Sequence, residues 1–171
     1  MEWVTRVTRV IDRVGEWSGK IFAWLIVPLV GIITYEVFAR KFFGAPTVWS
    51  FDMSYMLYGS LFMLGAAYTL LNKGHIRTDI FYNRFSERLQ GTIDAILYLL
   101  FFFPGMAFFL WSGWDEAWHA FVIREKSDAS PWRPPLYPLK FVIPGSAVLL
   151  IIQGISEFLK SLHAMLRGKW P

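Results

Sequence analysis

The chain has 171 residues, of which 55% are hydrophobic, 19% aromatic and 18% charged, with a net charge of +4; that apolar share exceeds what an ordinary soluble domain carries. It contains no cysteine, which excludes disulfides, thiol catalysis, Cys-ligated zinc and iron–sulfur clusters. Four apolar stretches take up nearly half of the sequence, and what remains is too short to build a soluble catalytic core.

The first twenty residues predict an amphipathic arm. Trp3, Val4, Val7, Val10, Ile11, Val14 and Trp17 recur at helical spacing, while Arg6, Arg9, Arg13, Glu16 and Lys20 share the opposite side. This is the pattern of a helix lying in the headgroup layer, with Trp3 and Trp17 as interfacial anchors. The segment that follows is too long for a cleavable signal and has no small-residue cleavage site behind it.

Residues 21–39, 53–71, 93–111 and 141–158 are each apolar over about the ~20 residues that cross a hydrocarbon core. A run such as Leu61-Phe62-Met63-Leu64-Gly65-Ala66-Ala67 offers no polar face to water, so lipid is the expected solvent. The fold expected is an all-α integral membrane domain spanning 1–171, with four transmembrane helices and two interfacial helices. Pro28 in the first span and Pro104-Gly105 in the third predict local kinks. Gly59, Ser60, Gly65, Ala66 and Ala67 in the second are small enough for close helix contact.

After the second span, Thr78 or Asp79 can cap a helix over 79–90. Phe81, Tyr82, Phe85 and Leu89 form its apolar face, Phe81 and Phe85 being the anchors, with Asn83, Arg84, Glu87 and Gln90 opposite. The loop over 124–140 holds Ser130-Pro131-Trp132-Arg133-Pro134-Pro135-Leu136-Tyr137-Pro138. Proline stiffens this loop, which then presents Trp132, Arg133 and Tyr137 either to a partner or to the headgroups.

Basic residues fix the expected orientation. The arm, the middle loop and the tail hold eleven Lys and Arg against six in the other two loops. Both termini are therefore expected in the cytoplasm. Such a distribution follows membrane topology and does not suggest nucleic-acid binding. No ionisable group sits at a span centre. Glu36 lies four residues before Arg40, at pairing distance on a helix, and Asp94 and Lys140 stand at interface depth. His75, His119 and His163 lie outside the cores, which argues against a haem-binding histidine pair. No nucleophile, metal or acid–base cluster suggests an enzyme.

The segment Arg40-Lys41-Phe42-Phe43-Gly44-Ala45-Pro46-Thr47-Val48-Trp49-Ser50-Phe51-Asp52 resembles the Arg, aromatic, Pro, Trp and acidic pattern of the small membrane subunits of tripartite ATP-independent periplasmic (TRAP) transporters, the DctQ-like proteins. The likeness continues through Leu64-Gly65-Ala66-Ala67 and Lys73-Gly74-His75-Ile76-Arg77-Thr78-Asp79. Its positions here are Arg40, Pro46, Trp49, Asp52, Gly65, His75 and Asp79; Lys41 stands where an aromatic is expected, and Asp52 where glutamate is commoner. The resemblance implies a subunit of the bacterial inner membrane that supports a large multi-span subunit. That partner carries an organic anion inward with sodium, after delivery by a periplasmic binding protein. Sodium would then belong to the large subunit, and this chain would hold no cofactor and contact phospholipid. Arg40, Lys41, Trp132 and Arg133 are candidates for docking the binding protein. The rival reading is a self-sufficient homo-oligomeric channel or small carrier lined by Glu36 or the kinked helices.

Overall fold

Proline chemistry sets the first boundary in the chain. Helix α1 (Glu2–Ala23) stops at a tight turn, and α2 (Ile26–Phe43) begins directly after it. Pro28 has no N–H to give the Trp24 carbonyl, and its ring crowds that carbonyl. The backbone closes instead through Trp24 N–H to Ile21 O and Leu25 N–H to Phe22 O, at 3.2 and 3.0 Å. The expected kink within a span is thus a break between helices, and residues 21–23 belong to the arm.

The computed structural model describes residues 2–73, 82 and 85–170. Among them the fold is all-α, without a strand. Four helical stretches, Trp3–Phe43, Ser50–Leu71, Glu87–Val122 and Tyr137–Arg167, are long and apolar enough to cross a membrane, and each contains one predicted span. After α2 come α3 (Ser50–Leu71), α4 (Glu87–Leu97), a π-helical turn (Tyr98–Phe102), α5 (Phe103–Val122) and α6 (Tyr137–Arg167).

The π turn is the answer to Pro104. This residue cannot bond the Leu100 carbonyl, so the helix widens just upstream, with Phe103 N–H reaching Tyr98 O. One continuous helical path from Glu87 to Val122 results, the local disturbance expected at Pro104 being a π turn just upstream.

Helix α6 is the hub, contacting α1, α3, α4 and α5, whereas α2 packs mainly on α3 among the described residues. Hydrocarbon supplies no hydrophobic force between helices, so contact depends on close fit. The buried face of α6 accordingly carries small and polar groups, among them Ser146, Ala147, Gly154, Ser156, Ser161 and Ala164. At Gly91 of α4 an added Cβ would lie 2.6 Å from the Ser161 carbonyl oxygen, and at Gly154 it would lie 2.2 Å from the Phe102 ring. Of the small residues expected to make close contacts, Ala67 is buried in α3, but Gly65 opens on empty space.

Helix α1 has three faces where two were expected. Trp3, Val7, Val10, Val14 and Trp17 are exposed, as the stripe requires. Val4 and Ile11, assigned to the same stripe, turn toward the bundle with Thr8, Gly15 and Gly19. A helix packed on α3 and α6 needs an inner face, and small residues supply it: a Cβ at Gly19 would meet the Tyr68 ring at 2.4 Å.

The predicted interfacial helix over 79–90 is only partly covered. Residues 79–81, 83 and 84, including Asp79 and Phe81, lie outside the described residues. Glu87, Leu89 and Gln90 already belong to α4, whose N-cap Ser86 accepts the Leu89 N–H at 3.4 Å. Phe85 is exposed just before it.

Candidate functional site

Charged and hydroxyl side chains gather at the two ends of the bundle, one bearing the α2–α3 and α5–α6 loops and the other the termini. At the loop end, Glu36 caps the α2–α3 loop. Its carboxylate accepts Arg40 Nη2 at 2.7 Å, the Thr47 N–H at 3.0 Å and the Thr47 hydroxyl. Gly44 lets the chain leave α2 through a left-handed residue at φ 61°. Trp49 follows, stacked on Tyr35 with ring centroids 6.0 Å apart. Pro46 is exposed between them.

Asp52, in the first turn of α3, is 1% exposed. It accepts the hydroxyls of Ser127, at 2.5 Å, and Ser130. Both serine oxygens in turn accept loop amides, from Ala129 at 3.1 Å and Trp132 at 3.3 Å. One carboxylate thereby ties the two serine turns of the α5–α6 loop to α3. That loop closes on itself through Ser127 N–H to Pro134 O at 2.8 Å and Leu136 N–H to Glu125 O at 2.9 Å. Arg133 sits at φ 47°, and its guanidinium meets Asp128 at 2.5 Å. Trp132 is 45% exposed beside it. Behind the loop, Lys140 Nζ bridges Glu116 and Glu125 at 2.6 and 2.5 Å.

At the termini end, Asp12 of α1 meets a row on α6. Lys160 Nζ bridges Asp12 and Glu157 at 2.8 and 2.7 Å, while Gln153 Nε2 and Ser156 Oγ donate to Asp12 at 3.0 and 2.7 Å. Glu157 is 3% exposed. The tail folds back alongside: Arg88 Nη2 donates to Leu166 O at 3.3 Å, and Glu87 accepts the Trp170 N–H at 3.0 Å.

Of the positions singled out from sequence, Arg40, Lys41, Trp132 and Arg133 lie at the loop end. Arg40 is paired with Glu36 within α2, Arg133 with Asp128 within its loop, and Lys41 is exposed. Gly65 lies mid-helix in α3, its carbonyl accepting Thr69 Oγ1 at 3.2 Å. Trp3 and Trp17 face outward on α1. His75 and Asp79 lie outside the described residues. Sequence reasoning missed the Asp12 cluster. The signal was present, since Gln153, Ser156, Glu157 and Lys160 recur at i, i+3, i+4 and i+7 on α6.

Residues 29–164 match the family described as "Tripartite ATP-independent periplasmic transporters, DctQ component". The chain belongs to this family. It is a multi-pass membrane protein of a transporter class. A stretch of 92 residues, 54% of the chain, is 25% identical to the sialic acid TRAP transporter permease protein SiaT of Haemophilus influenzae (strain 86-028NP). The match takes in only 14% of that relative's length. The matched residues include Glu36, Asp52, Lys140 and Lys160, whereas Asp12 precedes them.

Proposed function

We propose that this chain is the small scaffold subunit of a sodium-coupled transporter importing an organic anion across the bacterial inner membrane, with both termini in the cytoplasm. It braces a large multi-span subunit, which holds the sodium, and its loop end helps dock a periplasmic binding protein. The family match supports the setting. The observation that carries the bracing role is the way the polar groups are used: Glu36, Asp52, Glu157, Lys140 and Lys160 are each held by partners within the chain. A group already satisfied by its neighbours is poorly disposed to hand an ion or anion along a path. A moving transport domain needs a fixed reference, and helices fastened at both ends provide one.

Loss of uptake when the large subunit and binding protein are reconstituted without this chain, under a sodium gradient, is the expected result. Full sodium-driven uptake in its absence overturns the bracing role. Solute flux through vesicles holding only this chain selects the homo-oligomeric channel instead. For docking, R133E is expected to weaken capture of the binding protein, and unchanged capture and transport would remove Arg133 from that surface.

A further inference from the structure

The charges of α1 are unevenly used. Glu16 is neutralised by Lys20 at 2.6 Å, and Asp12 by Lys160 at 2.8 Å. Arg6, Arg9 and Arg13 are exposed and, among the described residues, have no carboxylate within ion-pair distance. Counting Lys20, Lys160 and Glu157 with them, five cations face three carboxylates, an excess of two positive charges. The excess sits on the arginines. They occupy one side of the helix, at i, i+3 and i+7, over about 10 Å of its length.

Position adds to charge. Arg9 and Arg13 line an open groove of about 440 Å³ with Thr5, Thr8 and Leu71; Asp12 and Glu16 also line it, their charges already taken up by Lys160, at its wall, and by Lys20. The exposed stripe of Trp3, Val7, Val10, Val14 and Trp17 runs along the adjoining face. The inner face is fastened to α6 through Asp12, so α1 cannot roll to hide the arginines. A row of exposed guanidiniums on a fastened helix, beside an apolar stripe, matches an amphiphile with an anionic phosphate head.

We propose that Arg9 and Arg13, assisted by Arg6, form a binding site for the headgroup of an anionic phospholipid. The site prefers a net-negative phosphodiester lipid over a zwitterionic one. It requires only that α1 meet a lipid surface, so it stands or falls apart from the transporter role.

The test is lipid retention by the purified full chain in neutral detergent, read by native mass spectrometry. Phosphatidylglycerol competes with phosphatidylcholine, and sodium phosphate supplies a free-anion arm. The wild type is expected to retain phosphatidylglycerol preferentially. Each arginine near a lipid headgroup contributes roughly fivefold, so R9Q/R13Q should reduce the preference about thirtyfold. R124Q/K126Q removes two charges from the other end and should keep it. Both variants alter exposed side chains, and an unchanged helical circular dichroism spectrum confirms folding. Equal retention of the two lipids by the wild type overturns the proposal, as does undiminished preference in R9Q/R13Q. An equal loss in R124Q/K126Q would reassign the effect to overall charge. Displacement of phosphatidylglycerol by millimolar phosphate would make this a soluble-anion site and refute the lipid assignment.

Discussion

Replacing Asp52 with alanine should release the α5–α6 loop while leaving the helices in place. The carboxylate accepts two hydroxyls, and a hydrogen bond to a charged acceptor contributes ~1.5–3 kcal/mol. Two of them give roughly 3–6 kcal/mol, offset in part because a buried carboxylate no longer has to be desolvated. A net local cost of about 3 kcal/mol follows, or about a hundredfold in the loop's opening equilibrium. Hydrogen exchange by mass spectrometry reads this directly. The amides of Ala129 and Trp132 are protected through Ser127 and Ser130, and their exchange in D52A should quicken by about that factor. D52N retains one good acceptor and should fall between. Exchange in D52A indistinguishable from the wild type would refute the claim that this carboxylate organises the loop.

The two loop-end latches are separate, so E36A should expose the Thr47 amide, bonded to Glu36 at 3.0 Å, without changing exchange at Ala129 or Trp132. At the other end, K160M leaves Asp12 and Glu157 uncompensated and should cost ~3–5 kcal/mol in thermal unfolding. D12N, whose carbonyl still accepts Gln153 and Ser156, should cost clearly less; equal losses would show that charge compensation is not what Lys160 supplies. G91A brings a Cβ within 2.6 Å of the Ser161 carbonyl, which cannot swing aside, and should destabilise by the upper part of the ~1–3 kcal/mol range for overpacking. Gly105 has nothing within 4 Å of its Cβ position, so G105A should be neutral or gain up to ~1 kcal/mol from helix propensity. A shared sign for the two glycines in melting temperature would contradict the packing argument.

The four spans were legible because hydropathy over twenty residues is a bulk property that tertiary contacts do not alter. Burial on α1 was not, since Val4 and Ile11 look like members of the outer stripe until the position of α6 is known. Proline was readable as a disturbance but not as an outcome: Pro28 divides two helices, while Pro104 is absorbed by a π turn. The difference lies in the upstream residues, where Tyr98, Phe102 and Phe103 pack edge-on and hold the widened turn. Asp52 was visible as a pattern position, yet its partners lie 75 and 78 residues away, a pairing that no local spacing encodes. The glycines that let helices meet closely, Gly91 and Gly154, carry no marker that separates them from the other eleven in the sequence.

The spacing of the fastenings along α6 bears on how a brace could resist force. Lys140 and Lys160 are twenty residues apart, which at 1.5 Å per residue is ~30 Å, the thickness of a hydrocarbon core. The intervening α6 residues up to Ser156 carry no charge. Each lysine is tied to carboxylates on a different part of the chain, Glu116 and Glu125 at one end and Asp12 at the other. Sliding α6 along the membrane normal would carry one of these ion pairs into hydrocarbon, where desolvation opposes it, and would strain the other against α1 or α5. The restoring force thus arises from charge placement and not from packing alone. For the proposed bracing role this is the useful arrangement, because apolar seams between helices can slip by a turn, whereas a charge held at each membrane face cannot cross.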